Sequence, residues 1–331
     1  MESENMYAIE NRDTRPQYNL ALEEYLCLRA MRDGSRFFML WQNEPSIIVG
    51  RFQNTMEEIN ASFVEERHIH VVRRNSGGGA VYHDLGNINY SFVMPDAGDF
   101  DFAFFSQPII RFLGELGVHA ELSGRNDLTI EGRKVSGGAQ YRKNGVVLHH
   151  GTLLYDANLE ILSQALRPSE DKFQSKAVKS TRGRVGNIRP FLREPLSMTE
   201  FWDRLQQGIQ GLTPLSLDEG ALSEVEKLRT EKYSTREWNY GASPRFTERR
   251  KRRFPWGGIE VFLVVGEGKI AECSFRGDYF GSGEYEPLLS RLTGCPYTKE
   301  DIARAVEGFD AQGLFAGASS DDLIALLSPK I

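Results

Sequence analysis

Apolar positions between residues 17 and 32 recur at helical spacing. Leu20, Leu22, Tyr25, Leu26 and Leu28 form a stripe, with Glu23 and Glu24 left for the opposite side, so the pattern predicts an amphipathic helix. Two β-forming runs follow, Phe37 to Trp41 and Ile47 to Val49. The turn Gln42-Asn43-Glu44-Pro45 between them predicts an antiparallel pair. Glu57 to Arg67 reads as a polar helix, and Ile69 to Val72 as a short strand that runs into a glycine tract. Ile88 to Val93 alternates as a strand, and Phe102 to Leu116 reads as a helix closed by Gly117. Strands are predicted at 127–130, 133–141 and 146–155, the last two joined through Asn144-Gly145, a strong hairpin signal. Residues 168–195 lack apolar periodicity and are rich in Lys, Arg, Ser, Gly and Pro, as functional or mobile loops are. Helices resume near 199–210 and 221–232.

Composition changes again between Gly241 and Pro255. Beyond it come strands at 258–265 and 269–276 and helices near 284–291, 298–306 and 320–327. Strands arrive in runs and hairpins, not in strict alternation with helices. That predicts an α+β fold with mixed or antiparallel sheets, not a doubly wound one. The expected division is a larger unit over 1–242 and a small α+β unit over 243–331.

The bulk numbers narrow the function. The 331 residues are 40% hydrophobic and 26% charged, ordinary for a globular chain that can bury a core without staples. The three cysteines, Cys27, Cys273 and Cys295, are widely spaced, which fits a reducing compartment and offers no metal-site spacing. The N-terminus has no apolar run behind a basic flank, and no segment reaches membrane-spanning length. The chain is therefore expected to be cytoplasmic, with no membrane and, at a net charge of −6, no nucleic-acid partner. Arg249-Arg250-Lys251-Arg252-Arg253 reads as a solvated charged connector.

Five segments can carry chemistry. In Ser76-Gly77-Gly78-Gly79-Ala80-Val81-Tyr82-His83-Asp84 the glycines allow positive φ and close approach to a ligand, and successive N–H groups can form an anion nest. Three glycines alone are better read as a turn. With Arg73-Arg74 before them and His-Asp after, phosphate or carboxylate binding becomes the better reading. Neither the P-loop nor the dinucleotide fingerprint is present. Asn126-Asp127, ahead of a strand, suits a hydrated magnesium ion or simply a turn. Lys134, followed by Ser136-Gly137-Gly138, is either an ammonium set between two anions or a surface lysine before a bulge. The small residues leave room for a ligand or another backbone. His149 and His150, adjacent on a strand, point to opposite faces, so at most one faces a pocket, which argues against a two-histidine metal site. His68 and His70 share a face without completing a metal set, and read as structural. The basic loop with Lys172, Lys176, Lys179, Arg182 and Arg184 either closes over an anionic intermediate or is solvated.

In one-letter code the segments are RRNSGGGAVYHDLGN (73–87), GRNDL (124–128), RKVSGGAQ (133–140), HHGTLL (149–154), REWNYGASPRF (236–246) and FPWGG (254–258). Together and in this order they resemble the lipoate–protein ligase family over nearly the whole chain. The resemblance implies a catalytic core shared with biotin protein ligases and a small C-terminal accessory domain. It implies a two-step reaction: lipoate and ATP give lipoyl-AMP and pyrophosphate, and a lysine of an acceptor protein then takes the lipoyl group and releases AMP. The acceptor would be a glycine-cleavage H protein or a 2-oxoacid dehydrogenase lipoyl domain, and the ligase a monomer. The resemblance assigns Arg74, Gly78, Gly79, Ala80, Val81, Tyr82 and Asp127 to ATP, and Trp41, Ser76, Gly77, His83, His150 and Gly151 to lipoate. Lys134 would touch both and be the catalytic residue, and Asp127 with Asn126 would hold Mg2+. Asn75, variable in kind among members, has no assigned role. Alternatives within the fold are an octanoyl or lipoyl transferase using a cysteine, and a biotin ligase; outside enzymes, a non-catalytic lipoate-binding protein.

Overall fold

The computed structural model describes residues 6–98, 101–124, 126–166, 185–241 and 246–329. Its α+β core is an eight-stranded mixed sheet. The strands of this sheet and of a smaller one beside it are β1 (Met6–Ile9), β2 (Arg36–Trp41), β3 (Ser46–Val49), β4 (His70–Arg73), β5 (Val81–His83), β6 (Asn87–Pro95), β7 (Glu121–Ser123), β8 (Asp127–Ile130), β9 (Arg133–Lys143), β10 (Val146–Leu154) and β11 (Leu212–Leu215). The large sheet runs β11-β1-β2-β6-β10-β9-β8-β7, and β4-β3-β5 form a small second sheet.

Alternation assigns the two faces of the large sheet. Phe38 and Leu40 of β2, Ile88, Tyr90, Phe92 and Met94 of β6, and Val147 and Leu153 of β10 pack under helices Phe102–Glu115 and Met198–Gly208. Phe37, Met39 and Trp41, with Val93, Val146 and Leu148, face helices Pro16–Asp33 and Glu219–Leu228. The β9–β10 hairpin turns on Asn144 and Gly145 at φ 48° and 73°, the left-handed pair such a turn requires.

Several expectations are corrected. β2 and β3 do not pair: β2 lies between β1 and β6, and β3 joins β4 in parallel and β5 antiparallel. The turn between them carries the chain from one sheet to the other. The helix expected over 57–67 is two short ones, Thr55–Glu58 and Ala61–Glu66. In the first helix Leu28 is exposed and Glu23 is 2% exposed, because Glu23 sits on the face covering the sheet and is matched there by polar partners. The basic run is no loose connector. It forms strand β12 (Glu248–Phe254), paired along its length with β13 (Gly257–Gly266), which pairs with β14 (Lys269–Gly277). Arg249 meets Glu57 at 3.1 Å and Glu260 at 2.9 Å.

Around β12–β14 and the helices Glu286–Leu292, Lys299–Val306, Ala311–Leu314 and Ser320–Leu327 lies a separate apolar core. It takes in one guest from the larger unit, Phe52. No helix among the described residues is long and apolar enough to cross a membrane.

Candidate active site

A cavity of about 420 Å3 opens where the β9–β10 hairpin, the small sheet and the β12–β14 unit meet. Of the residues picked from the sequence, Trp41, Arg74, Gly78, Gly79, Ala80, Val81, His83, Asn126, Asp127, Lys134, His150 and Gly151 line it. Strands from two sheets bring these distant segments together.

Each wall has a local cause. Lys134 extends along β9 until its Nζ lies 2.7 Å from Asp127 Oδ1 on the neighbouring β8. A Cβ on Gly137 would come within 3.0 Å of that Nζ, so the glycine makes way for the lysine itself. At Gly138 a Cβ would crowd the His149 ring at 3.2 Å, and at Gly151 the Tyr90 hydroxyl at 2.4 Å. The small residues thus clear space chiefly for the protein's own side chains. Asn126 donates its amide to Gly138 O at 2.6 Å, which leaves its carbonyl oxygen uncommitted beside Asp127.

Arg74 is fully enclosed and braces the glycine tract. It donates to Ile48 O, Gly77 O and Gly79 O at 3.0, 2.7 and 2.8 Å. Burial lowers its pKa to about 10 against the pull of Glu23. Its Nε also donates to Ser76 Oγ at 2.9 Å. Ser76 Oγ is in turn 2.7 Å from His150 Nε2, and His150 Nδ1 is 2.9 Å from Glu23 Oε1. The Ser91 hydroxyl donates to the same carboxylate oxygen at 2.5 Å and accepts from Trp41 Nε1 at 2.8 Å. Glu23 and Arg74 are thereby buried counter-charges joined through His150 and Ser76, and the carboxylate sets the imidazole's orientation. The sequence reading missed Glu23; the apolar cluster surrounding it in the helix was the available signal.

His83 sits edge-on to Trp41 with ring centroids 6.0 Å apart. Asn43 takes an amide hydrogen from Asn19 on its carbonyl oxygen and so donates to His83 Nδ1, at 3.0 Å. The ring proton is therefore on Nε2, a buried donor with no partner among the described residues. Burial, reinforced by Arg74 and His150, lowers the His83 pKa to about 3, and the ring stays neutral. Its strand neighbour Tyr82 points the other way, into the core of the small sheet with Ile47, Val49 and Val71. Only its backbone can serve the cavity. Ser76 lies one bond behind the wall. Gly77 backs onto the C-terminal unit, where a Cβ would strike Tyr279 O at 2.2 Å. His149 is the inward histidine, stacked 4.6 Å from Phe105. The basic residues between Lys172 and Arg184 lie outside the described residues.

The remaining wall was not anticipated. Arg253, Pro255, Trp256, Gly257, Asp278 and Phe280 reach the cavity from the C-terminal unit. Arg253 is fixed by Asp278 at 3.0 Å, and Gly78 N donates to Tyr279 O at 3.1 Å. Among the described residues no cluster of three or more His, Cys, Asp or Glu could hold a metal by itself.

Residues 15–210 match the family description "Lipoyl protein ligase A/B catalytic domain", and residues 243–327 match "Bacterial lipoate protein ligase C-terminus". The lipoate-protein ligase LplJ of Bacillus subtilis is 41% identical, over 97% of this chain and all of that protein. This chain belongs to the lipoate–protein ligase family. Lipoate–protein ligase 1 of Staphylococcus aureus is 39% identical, over 96% and 98% of the two chains. Among solved ligase structures, lipoate-protein ligase A bound with ATP superposes with a TM-score of 0.63 at 27% identity, covering 72% of this chain and 99% of that one. The fold of P. falciparum LipL1 in complex with lipoate superposes at 0.76, with 24% identity and coverage of 96% and 97%.

Proposed function

We propose that the chain is an ATP-dependent lipoate–protein ligase that forms lipoyl-AMP in this cavity and passes the lipoyl group to a lysine of an acceptor protein. The observation that carries the reading is the convergence of Lys134, the Arg74-braced glycine tract and the Trp41–His83–His150 wall on one open cavity. Named ligases related along nearly the full length support it.

In the first step a lipoate carboxylate oxygen attacks the α-phosphorus of ATP and pyrophosphate leaves. Both reactants are anionic. The Lys134 ammonium, kept at the cavity wall by Asp127, lowers their repulsion and stabilises the charge that grows on the phosphoryl oxygens. The backbone of Gly78, Gly79, Ala80, Val81 and Tyr82 suits the nucleotide, with Arg74 bracing the loop from the cavity wall. Trp41, Gly151, His83 and His150 suit the lipoyl group; the free His83 Nε2–H is a donor for its polar end. Asp127 and Asn126 present side-chain oxygens that would hold a Mg2+ ion, and such an ion would supply charge neutralisation for the phosphates. In the second step the acceptor's lysine amine attacks the acyl carbon and AMP leaves.

A cysteine-dependent transferase is disfavoured by geometry. Cys27 is buried in the first helix, Cys273 and Cys295 belong to the C-terminal unit, and none lines the cavity. A solved archaeal ligase, 28% identical with a TM-score of 0.64 over 74% of this chain and 99% of that one, is described with its E2 lipoyl domain. That supports a lipoyl domain as acceptor, with a glycine-cleavage H protein as the alternative. We further propose a catalytic unit over 1–242, an accessory unit over 243–331, and a monomer working in the cytoplasm.

The test is mass measurement of such acceptors after incubation with Mg2+, ATP and lipoate, which should show one added lipoyl group only when ATP is present. Lys134→Ala should lower ATP–pyrophosphate exchange by ~10²–10³ with an unchanged melting curve. Native exchange in that variant, or ATP-free transfer from a carrier, would overturn the reading.

A further inference from the structure

The chain from β4 into the glycine tract presents two faces. Arg74 turns to the catalytic cavity, whereas Arg73 turns to a second cavity of about 470 Å3, on the far side of the same strand. Arg51, Lys232, Trp238 and, from β14, Arg276 share its lining. Four cationic side chains thus meet there against two carboxylates, Glu231 and Glu237.

The four cations are not equivalent. Arg73 is consumed by the fold: it donates to Trp238 O, Gly50 O, Arg51 O, Gln53 O, Asn239 O and the Thr55 hydroxyl. Lys232 is paired with Glu24 at 2.6 Å and donates to Asn75 Oδ1 at 3.0 Å. Arg51 and Arg276 have no carboxylate partner among the described residues. Arg51 makes one long contact, 3.5 Å to Asn75 Oδ1, and lies 5.4 Å from the Trp238 ring centroid. Among the described residues the Arg276 side chain donates to Phe275 O alone, at 3.0 Å. Both charges reach Arg73: burial, with Arg276 and Arg51 nearby, lowers its pKa to about 10.

Unneutralised cations gathered in a concavity repel one another, and a bound anion relieves that cost. Guanidinium forks match tetrahedral oxyanions through paired N–H donors. The side chains converge into a hollow of small-ligand size, not onto a flat patch. We infer that this hollow is a second ligand site, which takes a phosphate-bearing small molecule between Arg51 and Arg276 beside the Trp238 ring. Because Arg276 belongs to the C-terminal unit and Arg51 to the larger one, the ligand would tie the two units together behind the glycine tract. Asn75, which the sequence left without a role, links Arg51 and Lys232 to that tract.

Calorimetric titration of the full chain with pyrophosphate, inorganic phosphate and AMP, at constant ionic strength, tests this. Acetate serves as the monoanion control. The proposed adenylation cavity also takes such anions, so stoichiometry decides. Wild type should bind two equivalents of at least one phosphate probe. The double variant Arg51→Gln/Arg276→Gln should lose one of them, and each single variant should weaken it about tenfold or more. Lys134→Ala should weaken only the other. A single equivalent in wild type, two equivalents unaltered in the double variant, or acetate bound as tightly as phosphate would overturn the inference. If Lys134→Ala leaves both equivalents intact while the double variant loses one, the second site stands and the adenylation assignment falls. Should the double variant not fold, Arg276→Gln alone carries the comparison, with Arg276→Lys expected to retain part of the affinity.

Discussion

His83 and His149 are residues whose type was visible in the sequence but whose state was not. Both are held neutral by burial, with folded pKa values of about 3 for His83 and well below 6.5 for His149. In the unfolded chain each binds a proton near pH 6.5, so the unfolded state takes up protons that the folded state refuses. The stability linked to each is fully present above that pH and is lost as pH falls through the interval toward the folded value. For His83 the loss between pH 7 and pH 5 is about 2 kcal/mol. The melting temperature of wild type should therefore drop more between these pH values than that of His83→Gln, since carboxylate effects are common to both. Equal drops would show that His83 takes a proton in the folded state. Glu23 makes the complementary point. A glutamate among leucines was assigned to solvent by helical spacing, and only the placement of Ser91 and His150 on neighbouring strands makes its burial tolerable.

At the level of elements, the sequence resolved what local pattern controls. The long helices, the β9–β10 hairpin and the opposed histidines all follow from periodicity or turn chemistry. Pairing between segments was less legible. β2 and β3 are close in sequence with a turn between them, yet they join different sheets, because each has a better partner elsewhere: β6 for one and β4 for the other. The short strands β1, β5, β7 and β11 were not read from the sequence; the last three are not apolar runs bounded by turn residues. The glycine tract shows the same limit. Its tightest approach involves Gly50, not one of its own glycines: a Cβ there would fall 1.9 Å from Gly78 O, whereas one on Gly79 would meet nothing within 4 Å. Gly50→Ala should cost about 1–3 kcal/mol by pushing the tract off β3. Gly79→Ala should leave stability within about 0.5 kcal/mol of wild type. Equal denaturant midpoints for the two variants would mean that the close approach does not constrain the loop.

On the scale of the whole molecule, the C-terminal unit is more than an appendage, since it supplies a wall of the cavity proposed for adenylation and one arginine of the second cavity. Its sequence carried that information only as the tract FPWGG, whose side chains cannot be aimed at a site on another unit without a docking geometry. The docking depends on Phe52. Its ring stacks on Tyr279 with centroids 4.9 Å apart and planes 9° apart, its carbonyl accepts from Gly277 N at 2.7 Å, and it lies 5% exposed within a core otherwise built by the other unit. Removing the ring takes away apolar burial that no residue nearby can restore. Phe52→Ala should therefore cost about 3–5 kcal/mol, at the junction and not in either core. Calorimetry should then show the single transition expected of the wild type replaced by two, the C-terminal unit melting first, and limited proteolysis should cut near residue 242. Acyl-adenylate formation should weaken in parallel, because Arg253 and Phe280 leave the cavity with the unit that carries them. A variant that melts in one transition at the wild-type temperature would show that the ion pairs of Arg249 and the Gly78–Tyr279 hydrogen bond are enough to seat the unit without its aromatic anchor.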